Sequence, residues 1–229
     1  MNLANPVSYQ LESENGEYDL VSFSPRWSSP VQRAIKRTID VVGSSVLLVL
    51  LSPVLFVLAV LVKLSSPGPI LYRWRIAGKN GRPVTSYKFR SMYVNADEMK
   101  QQFAHLNEMC GPAFKITGDP RITPLGRWIR RYSLDELPQL YTVLTGDMSL
   151  VGPRPPLVGE YEIFTQYQKQ KLSVVPGLTC LWQVSGRNQI SDYDDWVRLD
   201  LEYIRQWSVW LDIKILFKTI REVLRGSGK

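Results

Sequence analysis

Two carboxylates, Asp135 and Glu136, stand side by side in SLDELPQL, between Leu134 and Leu137 and just ahead of Pro138. Adjacent acids repel, and apolar neighbours argue against free solvation. Two readings fit. Acids are favoured in a first helical turn, and Ser133 with Glu136 three residues on is a capping-box pattern, so the pair can simply be a helix start. Backbone N–H groups also converge on anions at such a point, and carboxylates near a phosphate suit Mg²⁺, which takes one or two carboxylates plus phosphate oxygens. A carboxylate can itself attack phosphorus and form an acyl phosphate.

Basic residues in loops or at element ends supply the complementary charge. Lys88 and Arg90 lie in YKFRSM, Arg130 and Arg131 just before the acid pair, and Arg187 in SGRN. Arg154 is held between Pro153 and Pro155, which limits its backbone and favours one pose against a phosphate. Each base alone reads as an ordinary surface charge; the combination with two acids is more specific. The chain has 229 residues and a net charge of +7, and residues 1–25 hold four acids and no base, so the remainder carries +11. Such a body meets nucleic acid, an anionic membrane or phosphorylated ligands. Cys110 and Cys180 form no CxxC, which argues against a disulfide framework or structural zinc. The single histidine, His105, cannot build a histidine-rich metal site and reads as surface or helix packing.

The elements that must position these groups follow from pattern. Residues 41–62 are uncharged over 22 positions, about 33 Å as a straight helix against a hydrocarbon core of about 30 Å. Ser52-Pro53 sits near the midpoint, and proline there kinks a helix. Four bases (Arg26, Arg33, Lys36, Arg37) precede the segment and five (Lys63, Arg73, Arg75, Lys79, Arg82) follow it, so the positive-inside rule selects neither end. A helix that dips in, breaks at Ser52-Pro53 and returns keeps both ends cytoplasmic. The run PILYRWRIAGKNGRPVTSYKFRSM predicts two strands joined at Asn80-Gly81. Residues 95–110 read as helix, 111–125 as loop, and Pro124 through YTVL as helix. Trp196, Leu199, Tyr203 and Trp207 recur at helical spacing, as do Lys214, Lys218, Arg221 and Arg225. Both patterns fit either an interfacial amphipathic helix or a core-packed helix with a basic face. The expected fold class is α+β: a flexible acidic tail over 1–30, a re-entrant membrane helix over 31–64, and a membrane-associated, mostly helical catalytic domain with a small β-hairpin over 65–229.

With these residues laid out, the chain resembles the bacterial monotopic phosphoglycosyl transferases, the polyprenyl-phosphate sugar-1-phosphate transferases. The matching blocks are KRTIDVVGSSVLLVLLSPVLF, SPGPILYRWRIAGKNGRPVTSYKFRSM, RITPLGRWIRRYSLDELPQLYTVLTGDMSLVGPRPPL, PGLTCLWQVSGRN and WVRLDLEYIRQWSVWLDIKIL, covering residues from about 33 to about 222. The resemblance implies transfer of a sugar-1-phosphate from a UDP-sugar to undecaprenyl phosphate with release of UMP, the first membrane step of exopolysaccharide, capsule or O-antigen synthesis. It implies Asp135 as nucleophile carrying a covalent phosphosugar, Glu136 in acid–base or metal work, and Mg²⁺ held by both. Arg130 and Arg154 match phosphate-contacting positions and Lys88 the lysine of a KFR block; with Arg90 and Arg187 they are the candidate phosphate-binding set. Ser52-Pro53 matches the family's helix-breaking pair. LWQVSGRN resembles members that transfer hexose phosphate, which favours UDP-glucose or UDP-galactose. The expected location is the bacterial cytoplasmic membrane, with the catalytic domain facing the cytoplasm. Nucleic acid is not an expected partner; a homo-oligomer stays open. Cys180 stands where many relatives have glycine, and a short acidic tail stands where some have a multi-span domain. The rival reading, a membrane-tethered binder of anionic lipid or nucleic acid, leaves Asp135-Glu136 unexplained.

Overall fold

The computed structural model describes residues 29–186, 190, 192–226 and 228; residues 1–28 of the expected tail and Arg187 lie outside them. Helix α1 (Pro30–Leu50) starts on a proline, whose missing N–H costs nothing in a first turn. Helix α2 (Ser52–Ser65) follows after Leu51, and the two axes bend by 63°. Pro53 cannot donate to Val49 O, the acceptor four residues back. The Ser52 hydroxyl donates to that carbonyl instead, at 2.8 Å. No single described helix is long and apolar enough to cross a membrane, but this bent pair is, by length and composition.

Strands β1 (Leu71–Ala77) and β2 (Pro83–Phe89) form an antiparallel hairpin with Leu71 opposite Phe89 and Ala77 opposite Pro83. Asn80 (φ 56°) and Gly81 (φ 79°) take the left-handed conformations the turn reading required. The helix expected over 95–110 is not formed. Only α3 (Ala96–Met99) and a 3₁₀ turn at Ala104–Leu106 appear. Just beyond them the Asn107 side chain accepts from the N–H groups of Met109 and Lys115, a local alternative to helical bonding.

The helix expected from Pro124 through YTVL is three pieces: α4 (Pro124–Arg131), a 3₁₀ turn at Leu134–Glu136, and α5 (Gln139–Thr145). Strand β3 (Ser149–Val151) follows, then α6 (Val158–Glu162), α7 (Gln166–Lys169), β4 (Gly177–Thr179), α8 (Leu181–Val184), α9 (Tyr193–Gln206) and α10 (Val209–Arg225). Strands β3 and β4 pair in parallel. The architecture is α+β with two small sheets, as expected.

The main core gathers β3, α5, α8, α9 and α10. Trp196, Tyr203 and Trp207 are buried in it, so the aromatic stripe of α9 is core rather than membrane surface. On α10, Ile215 points inward, while Trp210, Phe217, Ile220 and Leu224 stay exposed beside exposed Lys214, Lys218, Arg221 and Arg225. A second cluster joins Leu58 and Val62 of α2 to Phe89 of β2 and Ile129 of α4, with Leu134 and Leu137 packed against it. The leucines flanking the acid pair therefore seat it on the second half of the bent helix pair.

The polar side of α1 docks on the body. Lys36 Nζ donates to Asp212 Oδ2 (2.7 Å) and Val151 O (2.9 Å), Asp40 accepts from Ser149 Oγ and Leu150 N, and Arg37 caps the Val143 and Leu144 carbonyls at the end of α5. Two bases counted as membrane flanks are thus also structural ties.

Candidate active site

Helix α4 is set by Thr123, whose Oγ1 accepts from Gly126 N at 2.9 Å. It ends at Tyr132, and Ser133 turns left-handed (φ 52°, ψ 24°). A non-glycine residue there costs of order 1 kcal/mol, tolerated where the surroundings over-determine it. The reversal swings Leu134–Glu136 into a single 3₁₀ turn. Ser133 makes no side-chain cap, so the capping-box reading is corrected. Glu136 reaches across to the hairpin, where Lys88 Nζ lies 2.8 Å from its Oε1.

Asp135 is only 7 % exposed. Burial, reinforced by the adjacent Glu136 charge, pushes its carboxyl up to about 6, while Lys88 and Arg130 pull the other way. The Lys88 side chain is 15 % exposed, and its partial desolvation lowers its ammonium below the usual lysine range; Glu136 offsets part of that. The ammonium lies 3.7 Å from the Trp74 ring centroid, so an indole face takes part of its charge. Trp74 and Lys88 share one face of the hairpin because they sit on adjacent strands in diagonal register.

The opposite wall is the turn after β3. Gly152 N bonds Thr179 O and Gly177 N bonds Pro153 O, and a Cβ on Gly177 would collide with the Gly152 backbone, so both strands need their glycines. This contact delivers Arg154 to a cleft it shares with Glu136 and Trp74. Arg154 N donates to Asp200 Oδ1 at 3.3 Å. Asp200 pairs through Oδ2 with Lys171 Nζ at 2.6 Å, both 1 % exposed, and the Arg154 guanidinium carbon lies 5.3 Å from the Trp182 ring. The buried Lys171–Asp200 pair thus holds the arginine's backbone, and Trp182 offers its head a surface.

Of the sequence-nominated residues, Asp135, Glu136, Lys88, Arg130 and Arg154 form one electrostatic cluster. Arg90 does not join it. Buried at 6 % exposure, it donates to the Val62, Ser66 and Pro67 carbonyls at the end of α2. The structure engages Arg90 at a helix end instead of bringing it into the expected phosphate-binding set: it lies one residue past the end of β2, and its guanidinium fork meets carbonyls that need donors. Trp74, Lys171 and Asp200 were missed, since nothing in local spacing links them to the acid pair.

No group of three or more histidine, cysteine or acidic residues able to hold a metal occurs among the described residues. Glu136 opens onto the cleft that Arg154 also lines, and its carboxylate with that of Asp135 offers the hard oxygen donors that Mg²⁺ takes alongside phosphate oxygens, rather than a closed all-protein cage. Repulsion between Asp135 and Glu136 is what a bound cation would relieve.

The family model for bacterial sugar transferase matches residues 31–226. The chain is 44 % identical over 211 residues to the galactosyl transferase CpsE of Streptococcus agalactiae serotype III (strain NEM316), covering 92 % of this chain and 47 % of that protein. It is 45 % identical over 201 residues to the undecaprenyl-phosphate galactose phosphotransferase of Salmonella typhimurium, covering 86 % and 42 %. It is 41 % identical over 226 residues to the UDP-glucose:undecaprenyl-phosphate glucose-1-phosphate transferase of Escherichia coli (strain K12), covering 94 % and 46 %. The chain spans about half the length of these relatives. With the family match running from the first turn of α1 to the end of α10, and so across the whole Asp135–Glu136–Lys88–Arg154 cluster, the chain belongs to the bacterial sugar transferase family.

Proposed function

We propose that this chain is an undecaprenyl-phosphate sugar phosphotransferase that moves hexose-1-phosphate from UDP-galactose or UDP-glucose to undecaprenyl phosphate through a covalent intermediate on Asp135. The observation that carries the reading is a buried carboxyl, pushed up to about 6, beside a Glu136–Lys88 pair and near Arg154. The relatives' names supply the sugars and the lipid acceptor.

Asp135, deprotonated, attacks the β-phosphorus of the UDP-sugar. The bond from that phosphorus to the oxygen bridging to the α-phosphate breaks, and UMP leaves with the electron pair. The undecaprenyl phosphate oxygen then attacks the same phosphorus. The Asp135–phosphorus bond breaks, the carboxylate is regenerated, and an undecaprenyl diphosphate sugar forms. Splitting the transfer keeps the anionic donor and acceptor from meeting at once. Arg154 and Arg130 stabilise the charge that builds at phosphorus, and Lys88 orients Glu136 beside it. Mg²⁺, held by Asp135 and Glu136 with donor diphosphate oxygens, would neutralise the diphosphate when bound.

The acceptor's tail cannot leave the bilayer, so the cleft must lie at its surface. Exposed Phe56, Val57 and Leu64 on α2 and Trp210, Phe217 and Leu224 on α10 support a bent helix dipping into the cytoplasmic leaflet with α10 lying on it.

The test is UMP release from UDP-galactose and UDP-glucose with Mg²⁺ and undecaprenyl phosphate, wild type beside Asp135→Asn. Release by wild type that falls at least 10³-fold in the variant, on the scale of losing a nucleophile, supports the reading. Undiminished release by Asp135→Asn removes Asp135 from the chemistry.

A further inference from the structure

The cleft has two chemically different parts. Arg154 supplies charge suited to a diphosphate, beside Glu136, whose own charge is offset by Lys88. Gln139 and Gln183 also line it, and both are neutral carboxamides. Gln139 is 1 % exposed, yet its Nε2 has no hydrogen-bond partner. A buried amide left unpaired is disfavoured, and one that faces a cleft is a group waiting for a ligand. Gln183 is fixed differently: its Oε1 accepts from Cys180 N at 3.1 Å, which leaves its NH₂ as the end available to a ligand.

Position decides which part of a nucleotide sugar these amides meet. Gln139 opens α5 three residues after Glu136 and lines the same cleft, on the side of the acid pair. The group bonded directly to the attacked phosphorus is the sugar; the nucleoside lies one phosphate further away. A hexose presents hydroxyls that donate and accept, which a carboxamide complements and a phosphate-binding base does not.

We propose that Gln139, with Gln183 lining the same cleft, binds a ring hydroxyl of the transferred hexose and sets discrimination among donor sugars. This rests on the transferase reading above. A site built to hydrogen-bond a hydroxyl rejects analogues lacking it, because its own polar group is then left unpaired.

The experiment measures kcat/KM for UMP release by the full chain in detergent, with Mg²⁺ and undecaprenyl phosphate, on UDP-galactose, UDP-glucose and their singly deoxygenated analogues. In wild type one deoxy position is expected to lose about 10- to 100-fold while the others stay near the parent. Gln139→Met should lower the parent sugar by a similar factor and leave that one analogue unchanged. Gln139→Glu, which keeps the shape and an acceptor, serves if the methionine variant does not accumulate; it should redistribute the preference among deoxy positions. Wild type indifferent to every deoxy position overturns the inference while leaving the transferase reading intact. So does a Gln139→Met loss equal on all sugars but changed by the nucleobase, which would place the amide on the nucleoside. Wild type that turns over no nucleotide hexose overturns both.

Discussion

Lys88 Nζ and Glu136 Oε1 meet at 2.8 Å across 48 residues of chain, bringing the hairpin onto the turn that carries Asp135. That contact explains why Glu136 ignores Ser133, and it ties the charge state of Asp135 to two neighbours of opposite sign.

The two neighbours should therefore move the acidic limb of the pH–rate profile in opposite directions. In wild type, kcat/KM should rise with pH through about 6 as Asp135 loses its proton. Lys88→Met removes a charge that lowers the Asp135 carboxyl, so the limb should move to higher pH. Glu136→Gln removes one that raises it, so the limb should move to lower pH. Both variants should also be slower, by about 10- to 10³-fold. Limbs that stay put in both would separate Asp135 from the titration.

Stability should record the same burial with a definite sign. The Asp135 carboxyl titrates at about 6 in the folded chain against an ordinary 3.8. Below 3.8 both states hold the proton and nothing is lost. As pH rises toward 6 the unfolded chain deprotonates first, so folding weakens, and above 6 the penalty is constant. Asp135→Asn should gain about 1–3 kcal/mol over wild type at pH 7.5 and little at pH 4, read from thermal or denaturant midpoints. Equal midpoint shifts at both pH values would contradict the buried-acid account.

Arg90 and Asp200 should behave as structural groups of two kinds. Arg90→Lys cannot serve three carbonyls with a planar fork, so it should lower the unfolding midpoint while leaving KM for the UDP-sugar within about twofold. Asp200→Ala strands Lys171 in the core and should cost about 3–5 kcal/mol. Because Asp200 also holds Arg154 N, its surviving activity should show a raised KM. Thermal melts and steady-state kinetics on both variants check this.

The contrast between these residues shows what sequence patterns carry. The hairpin, its Asn80-Gly81 turn and the break at Ser52-Pro53 were legible, because each is fixed by backbone chemistry within a few residues. The cluster of acids and bases was legible as residue types, and the family blocks ordered them. What failed needed partners distant in the chain. Glu136 was read as a cap since Ser133 is three residues away, but Lys88 captured it. Arg90 and Lys88 look alike two positions apart, and strand periodicity would put both on one face, but β2 ends at Phe89 and Arg90 beyond it meets the carbonyls at the end of α2. The tryptophan stripe of α9 gives no local sign of whether core or membrane covers it, and the core won. Lys171–Asp200 and Lys36–Asp212 are invisible without the fold.

The bend of the helix pair makes a topological prediction. Pro53→Ala combined with Ser52→Leu restores an N–H to Val49 O and removes the substituting hydroxyl, so α1 and α2 should straighten toward one continuous helix. In right-side-out spheroplasts, an amino-terminal tag on the wild type should be protected from protease together with the catalytic domain. The double variant should expose a measurable fraction. A wild-type tag cleaved from outside would contradict the re-entrant placement.

The most direct measurement is the intact mass of the protein after incubation with UDP-galactose or UDP-glucose and Mg²⁺, without undecaprenyl phosphate. The expected result is a gain of one hexose phosphate, mapped by peptide to Asp135, discharged on adding undecaprenyl phosphate and absent from Asp135→Asn. Turnover with acceptor but no adduct under any quench, or an adduct that persists in Asp135→Asn, would contradict a covalent relay through Asp135.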